Sequence, residues 1–276
     1  MKFGVFTVCM PEYDIPESIA LLADLGYDGI EFRVKELVEE TEEGLASHNP
    51  DNEQYPYRYW GYNKSTLDVN NIMEEAKKAK ALCDEHGLDV FGLSGYVGAD
   101  DPETLRKIFE AAKAIDCEIV RVGLVMFDPE KANKTYPEAF AAFRKDLKVV
   151  EGIAKEVGVK GVIELHHGTL TPSASAAIRA LEGLDPEYIG VIYDPGNMVY
   201  EGYERYINGL QILGDYVAHV HVKNASLVPG KRAENGEVIW EQRQNPLTEG
   251  SVNFADLFKA LRAVGYDHTI SVEDFS

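Results

Sequence analysis

Four segments of this chain carry a metal-ligand residue type at the end of an apolar, β-branched run: Glu164 in GVIELHH, Asp194 in YIGVIYDPGN, His221 in VAHVHVKN and Glu273 in TISVEDF. Three carboxylates and one imidazole make a mostly hard O/N donor set. It suits one divalent ion, Mn²⁺ first, with Mg²⁺, Co²⁺ or Zn²⁺ as alternatives, since no thiolate selects zinc. Such an ion polarises a carbonyl and its neighbouring hydroxyl and stabilises an enediolate as it forms, so a site with two glutamates suits proton transfer next to C=O. One acid at a strand end is usually solvated or hydrogen-bonded. Four on successive late strands are a different matter, because packing alone does not place charge on adjacent inward positions. Strand alternation puts Glu164 with His166 and His219 with His221 on shared faces. The histidine nearer the strand end, His221, is the expected ligand, and His219 sits one layer deeper as a neutral supporting or core group.

The elements that must position these residues alternate strictly. A strand at about 2–9 and a helix in IPESIALLADLG precede a second strand, YDGIEFRV. The helix NNIMEEAKKAKALCDEHG follows, then LDVFGLSGY, DPETLRKIFEAAKAID, CEIVRVGLVMF and the helix YPEAFAAFRKDLKVVEGIAKEVG. KGVIELHH, SASAAIRALEGL, YIGVIYD, EGYERYINGLQILG, YVAHVHVKN, FADLFKALRAVG and HTISVED complete the chain. Continuous apolar strands alternating with amphipathic helices imply a parallel sheet with right-handed crossovers. Eight strands and seven helices predict a closed (β/α)8 barrel forming one domain over 1–276. An open doubly wound sheet would want an early Gly-rich phosphate loop, and none is present. In a barrel the strand tops carry the chemistry. Two stretches, 34–70 with QYPYRYWGY and 225–252, are long for connectors and read as lids over the upper face. Within the first, Trp60 is a candidate substrate contact and segment 55–62 should cover the mouth.

A net charge of −20, from 47 acids against 27 lysines and arginines, argues against a nucleic-acid partner, which needs a basic surface. Cys9, Cys83 and Cys117 are far apart, with no CxxC, and read as reduced, half-buried thiols of a cytoplasmic protein. The first residues are too short and too interrupted for a signal peptide or membrane span and read as a strand.

The motifs IELHHG, DPGN, HVHVKN, LTEG before a helix, and SVED near the end run through almost the whole chain. In them the sequence resembles the xylose isomerase-like TIM barrels, the sugar isomerase/epimerase superfamily. The resemblance implies a metal held by Glu164, Asp194, His221 and Glu273, the second histidine of the HxHxK segment being the ligand. It also implies that Glu164 and Glu273 act as the catalytic acid/base pair on a small sugar or cyclitol. Asn197 matches a substrate-facing family position. Lys223, His166 (or its neighbour His167) and Arg121 are further substrate contacts, with Glu31 and Arg33 as sugar-facing candidates. The implied activity is that of a metal-dependent isomerase or epimerase. The 3-epimerase branch, however, carries a Glu and an Arg where this chain has Leu170 and Leu227. Lyases of the same superfamily, inosose-type dehydratases or C-glycoside-cleaving enzymes with a small partner subunit, are the alternative, and a non-catalytic metal- or sugar-binding barrel is the other. With no basic cluster dedicated to phosphate, an unphosphorylated substrate is expected.

The sequence runs only three residues past Glu273, so the eighth strand has no helix after it and the barrel is expected to lack its last helix. Outward-facing Ile270 and Val272 would then be wet, forgoing about 1.5–3 kcal/mol each. A homo-oligomer is the expected remedy, with a reshuffled helix, the N-terminal segment or closure by the neighbouring helices as the alternatives.

Overall fold

A computed structural model of the protein describes residues 1–37 and 59–276. Residues 55–58 of the aromatic segment, Tyr57 among them, lie outside the described residues. The chain runs β1 (Lys2–Phe6), α1 (Ile15–Asp24), β2 (Gly29–Lys35), β3 (Thr66–Asp68), α2 (Ile72–His86), β4 (Asp89–Gly95) and α3 (Pro102–Ala114). It continues through β5 (Ile119–Arg121), α4 (Tyr136–Val157), β6 (Lys160–Glu164), α5 (Ala174–Leu181), β7 (Ile189–Tyr193) and α6 (Pro195–Met198). The last elements are α7 (Tyr206–Leu213), β8 (Val217–Val222), β9 (Asn224–Arg232), β10 (Val238–Asn245), α8 (Phe254–Ala263) and β11 (Thr269–Val272).

Eight of these strands pair in parallel in the order β1-β2-β4-β5-β6-β7-β8-β11, and β11 returns to β1 through Lys2–Val5 against Thr269–Val272. The sheet therefore closes, and the protein is a (β/α)8 barrel. Helix ends follow from local chemistry. Asp14 and Glu17 form a reciprocal capping box ahead of α1, each accepting the other's backbone N–H at 2.9 and 3.0 Å, which satisfies donors that an open helix end leaves unpaired. The main core lies between barrel and helices. A second cluster, Ile119, Val162 and Ile192, fills the barrel interior. At the N-terminal end β1 and β2 crowd around the Phe91 ring, so that a Cβ on Gly29 would lie 2.2 Å from it. Only glycine fits there.

The structure corrects several sequence expectations. The first strand ends at Phe6, not near residue 9, because the chain turns through a 3₁₀ segment, Thr7–Cys9. Thr7 Oγ1 there accepts from Arg33 N and donates to Ser65 O. The fourth barrel strand ends at Arg121, leaving 122–127 to a loop. Segment 225–252 contains an antiparallel hairpin, β9 with β10, pairing Asn224–Arg232 with Val238–Asn245. A short helix, α6, follows Asp194 directly, and the helix expected over 201–214 is shorter, at Tyr206–Leu213. Cys83 and Cys117 are buried, not half-buried, and all three cysteines are free.

Most consequentially, Ile270 is fully buried within the one chain and Val272 packs partly against the same core. The burial of Ile270 thus asks nothing of a second subunit. The alternative to a subunit contact, closure by neighbouring helices, accounts for this cover: Phe258 of α8 reaches the Phe3 ring of β1 at 6.0 Å. Among the described residues, no helix is long and apolar enough to cross a membrane.

Candidate metal centre

Glu164 is the last residue of β6, Asp194 follows β7, His221 lies near the end of β8 and Glu273 follows β11. Each strand's alternation sends these side chains into the barrel top. All four are buried, and one oxygen or nitrogen from each falls within 4.8 Å of the others. The Glu273 N–H donates to Val222 O at 3.0 Å, which docks the chain end beside the histidine strand.

The two nitrogens of His221 have different surroundings. Nε2 lies 3.0 Å from Glu31 Oε2, an ionised carboxylate, so this nitrogen carries the proton and donates it. Among the described residues Nδ1 has no hydrogen-bond partner, facing Glu273, Glu164 and Asp194 oxygens at 3.4, 3.6 and 3.9 Å. A buried imidazole whose far N–H is fixed by a carboxylate, with its near nitrogen aimed into three carboxylates, is the arrangement in which proteins orient a metal-binding histidine. The residues present therefore fit a divalent ion. Phe6 stacks on the imidazole at 5.5 Å. Burial lowers the pKa of His221, but Glu31, Glu164 and Glu273 outweigh it and hold the pKa well above the usual imidazole value, so without an ion Nδ1 is protonated as well and metal binding would release that proton.

His219 is engaged elsewhere, one layer down. Its Nδ1 meets Thr269 Oγ1 at 2.7 Å and its Nε2 meets Ser271 Oγ at 2.9 Å and Glu31 Oε2 at 3.1 Å. Burial depresses its pKa despite Glu31, so it stays neutral. Ser94 Oγ completes the coordination of Glu31 by hydrogen bonds. Against burial, which favours the neutral acid, His221 and His219 hold Glu31 well below the ordinary carboxylate range. Glu31 thus lies beneath the cluster, supporting the imidazole, and not among sugar-facing groups as its strand-end position suggested.

Positive charge balances the carboxylates. Arg121 Nη1 donates to Glu164 Oε2 at 2.5 Å, both groups almost fully buried, and its guanidinium packs over the Tyr96 and Phe6 rings. Burial favours the neutral acid, but Arg121 and then His221 and Lys223 hold Glu164 well below the ordinary range. Lys223 Nζ lies 2.5 Å from Glu273 Oε2 and 3.1 Å from Asp194 Oδ2. Glu273 is lowered chiefly by Lys223, against burial. In Asp194 burial prevails over Lys223 and raises the carboxyl to about 6.

Asp194 also caps α6: Oδ1 accepts the Asn197 N–H at 2.9 Å, leaving Oδ2 for the cluster. Asn197 Nδ2 bridges Asp194 Oδ2 and Glu164 Oε1 at 2.8 and 2.9 Å, while its oxygen accepts from Lys223 Nζ at 3.2 Å. The DPGN glycine allows this: a Cβ on Gly196 would stand 2.7 Å from the Lys223 carbonyl oxygen. Asn197, Lys223 and Arg121 therefore touch the acids themselves, a closer association than strand position alone could show.

His166 and His167 stack at 4.3 Å at the rim, His166 Nδ1 meeting the His167 carbonyl at 2.7 Å. Burial lowers both imidazoles, His167 to about 4. Trp60 packs on Phe275 at 5.0 Å, and Lys223 Nζ lies 5.1 Å over that same ring. The aromatic segment thus reaches the site through Phe275, a residue that no motif singles out. Tyr96, between Arg33 and Arg121, was missed likewise. Leu170 is buried, and Leu227 stands half out of the hairpin.

A model of the family described as xylose isomerase-like TIM barrel matches residues 19–276. The chain belongs to this family. Among curated relatives of this xylose isomerase-like barrel, the inosose dehydratase of Geobacillus kaustophilus is 27% identical over 171 residues, 58% of this chain and 54% of that protein. The uncharacterized protein MJ1311 of Methanocaldococcus jannaschii is 25% identical over 178 residues, 62% of this chain and 56% of its own length. The chain thus matches little more than half the length of these two relatives. Among solved structures, the 3-keto-D-glucoside 4-epimerase YcjR of E. coli superposes with a TM-score of 0.68 at 17% identity, covering 99% of this chain and 92% of that one. The IOLI protein, solved with a zinc atom bound, gives 0.66 at 17% identity, covering 100% and 89%. At such identities the structures establish the shared fold.

Proposed function

We propose that this protein is a divalent-metal-dependent enzyme that moves a proton next to the carbonyl of a sugar or cyclitol, as an isomerase or epimerase. The observation that carries the reading is the unpartnered Nδ1 of His221 among three buried carboxylates. Glu164, Asp194, His221 and Glu273 would hold the ion, and their three-oxygen, one-nitrogen donor set favours Mn²⁺. When bound, the ion polarises the substrate carbonyl and neighbouring hydroxyl and stabilises negative charge on oxygen.

The acid/base work falls to Glu164 and Glu273, on strands separated by β7 and β8. Arg121 and Lys223 keep them ionised, so one accepts the proton from carbon as the C–H pair becomes a C=C bond and the carbonyl oxygen gains charge. The other returns a proton that it has first taken up from solvent. Return to the opposite face epimerises the carbon; return to the neighbouring carbon interconverts aldose and ketose. His166 and Asn197 lie where substrate hydroxyls would approach, and Trp60 with Phe275 would limit water.

A second reading, dehydration, is supported by the inosose dehydratases among the relatives and by Leu170 and Leu227 where the resemblance leads one to expect Glu and Arg in a 3-epimerase. It begins with the same proton abstraction and ends with expulsion of a β-hydroxyl as water. Incubating Mn²⁺-loaded protein with ketohexoses and cyclitol ketones in D₂O, read by NMR, tests both. Deuterium enters an α-carbon in either case, and only dehydration loses a hydroxyl. Glu164→Gln and Glu273→Gln should each abolish exchange while retaining metal; near-normal exchange in both would remove the proposed pair.

A further inference from the structure

The cations at the barrel mouth are not balanced alike. Arg121 is neutralised by Glu164. Arg33 and Lys35, two residues apart at the upper end of β2, pair with no carboxylate among the described residues. Arg33 is 1% exposed. Its Nη1 donates to Thr66 Oγ1 and its Nη2 to the Trp60 carbonyl at 2.7 Å, while Nε has no partner among the described residues. Lys35 Nζ donates to the same carbonyl at 3.2 Å. Both cations lie over the Tyr96 ring, at 5.2 and 5.5 Å from its centre, and Arg121 lies over that ring at 4.8 Å.

A hydroxyl, a carbonyl and a π-face satisfy donors but do not neutralise charge; an uncompensated ion is costly at buried Arg33, and half-buried Lys35 adds a second positive charge beside it. Anchoring the Trp60 segment requires only a neutral donor such as glutamine. The chain has 47 acids against 27 lysines and arginines, yet it brings none of the described acids into ion pairing with this pair.

We propose that Arg33 and Lys35 form a carboxylate-binding subsite, and that the substrate is an acidic polyhydroxy carbonyl compound, a sugar acid, not a neutral sugar. This rests on the function proposed above and names its substrate class. Guanidinium N–H groups match the oxygens of a carboxylate, and the two anchored Nη atoms fix the plane of the group. Arg33 and Arg121 lie 5.2 and 4.8 Å from the centre of the same Tyr96 ring, which puts the subsite and the Arg121–Glu164 pair within reach of one sugar-sized molecule.

Equilibrium binding to the Mn²⁺-loaded protein tests the subsite with matched probes: D-fructose, D-fructuronate and D-fructose 6-phosphate, and dihydroxyacetone against hydroxypyruvate. At least one acid should bind about tenfold or more tightly than its neutral partner, the scale of one charge-assisted hydrogen bond. Arg33→Met should bring acid and neutral probe to equal affinity, Arg33→Lys should keep part of the preference, and Lys35→Met should weaken it. Lys35→Met supplies the readout if Arg33→Met does not fold, with metal content checking the site in each variant. Equal binding of acids and neutral sugars by the wild type, failure of every acid to bind, a preference that survives the substitutions, or stronger binding of the phosphate ester each overturns the proposal. Metal stoichiometry and α-proton exchange on the same wild-type samples separate the two readings. Their loss with acid preference intact strikes the proton-transfer reading alone; their presence without acid preference strikes the subsite alone.

Discussion

His221 and His219 differ by one turn of strand alternation and by everything that touches them. His221 presents a free Nδ1 to the carboxylates, whereas both nitrogens of His219 are engaged by Thr269, Ser271 and Glu31. His221→Ala should therefore abolish stoichiometric metal, and His219→Ala should largely keep it; elemental analysis showing the reverse would exchange their roles. Arg121 gives a second residue-scale test. Arg121→Leu leaves Glu164 as a buried charge without its closest partner, a loss of about 3–5 kcal/mol in the metal-free protein. With Mn²⁺ bound the loss should shrink, because the ion supplies the missing positive charge. Urea unfolding with and without metal measures both, and an equal loss in the two states would show that Arg121 acts mainly through packing.

At the scale of elements, the site depends on strands that approach closely at the opposite end. Gly29 of β2 lets the Phe91 ring of β4 occupy the N-terminal end of the barrel. Gly29→Ala places a methyl in that ring and should cost about 1–3 kcal/mol by overpacking. Phe91→Leu in the same chain should restore part of the loss, which a double-mutant cycle reads. Additive losses would mean that the crowding is relieved elsewhere. The strand and helix order was legible because apolar runs, capping residues and helix-ending glycines are local signals. The β9–β10 hairpin was not: of its strands' 9 and 8 residues only Asn224 and Ala225 are buried, so no apolar core-facing run marks them.

For the whole molecule, a site in which buried cations already answer buried acids does not need the ion to fold, but the ion must still stabilise it. A ligand that binds only the folded state adds about 2.7 kcal/mol at a hundred times its Kd. Thermal unfolding should accordingly shift upward with Mn²⁺ and return with EDTA, and the shift should vanish in His221→Ala. An unchanged midpoint in the wild type at saturating Mn²⁺ would count against the site.

The alternation of elements and the four strand-end residues Glu164, Asp194, His221 and Glu273 were legible in the chain because each depends on a pattern within one short segment, and the count of eight such strands pointed to the closed barrel. The roles of Glu31 and Arg33 depend on partners far along the chain. Glu31 meets His219 and His221 across 188 and 190 positions, so its support of the imidazole exists only once the barrel has closed. Arg33 shares Tyr96 with Arg121, and the lack of a counter-charge among the described residues leaves no mark in a sequence with an excess of acids. The cover over Ile270 was likewise decided by tertiary packing, since whether flanking helices meet across a strand is set by how closely they sit and not by their order.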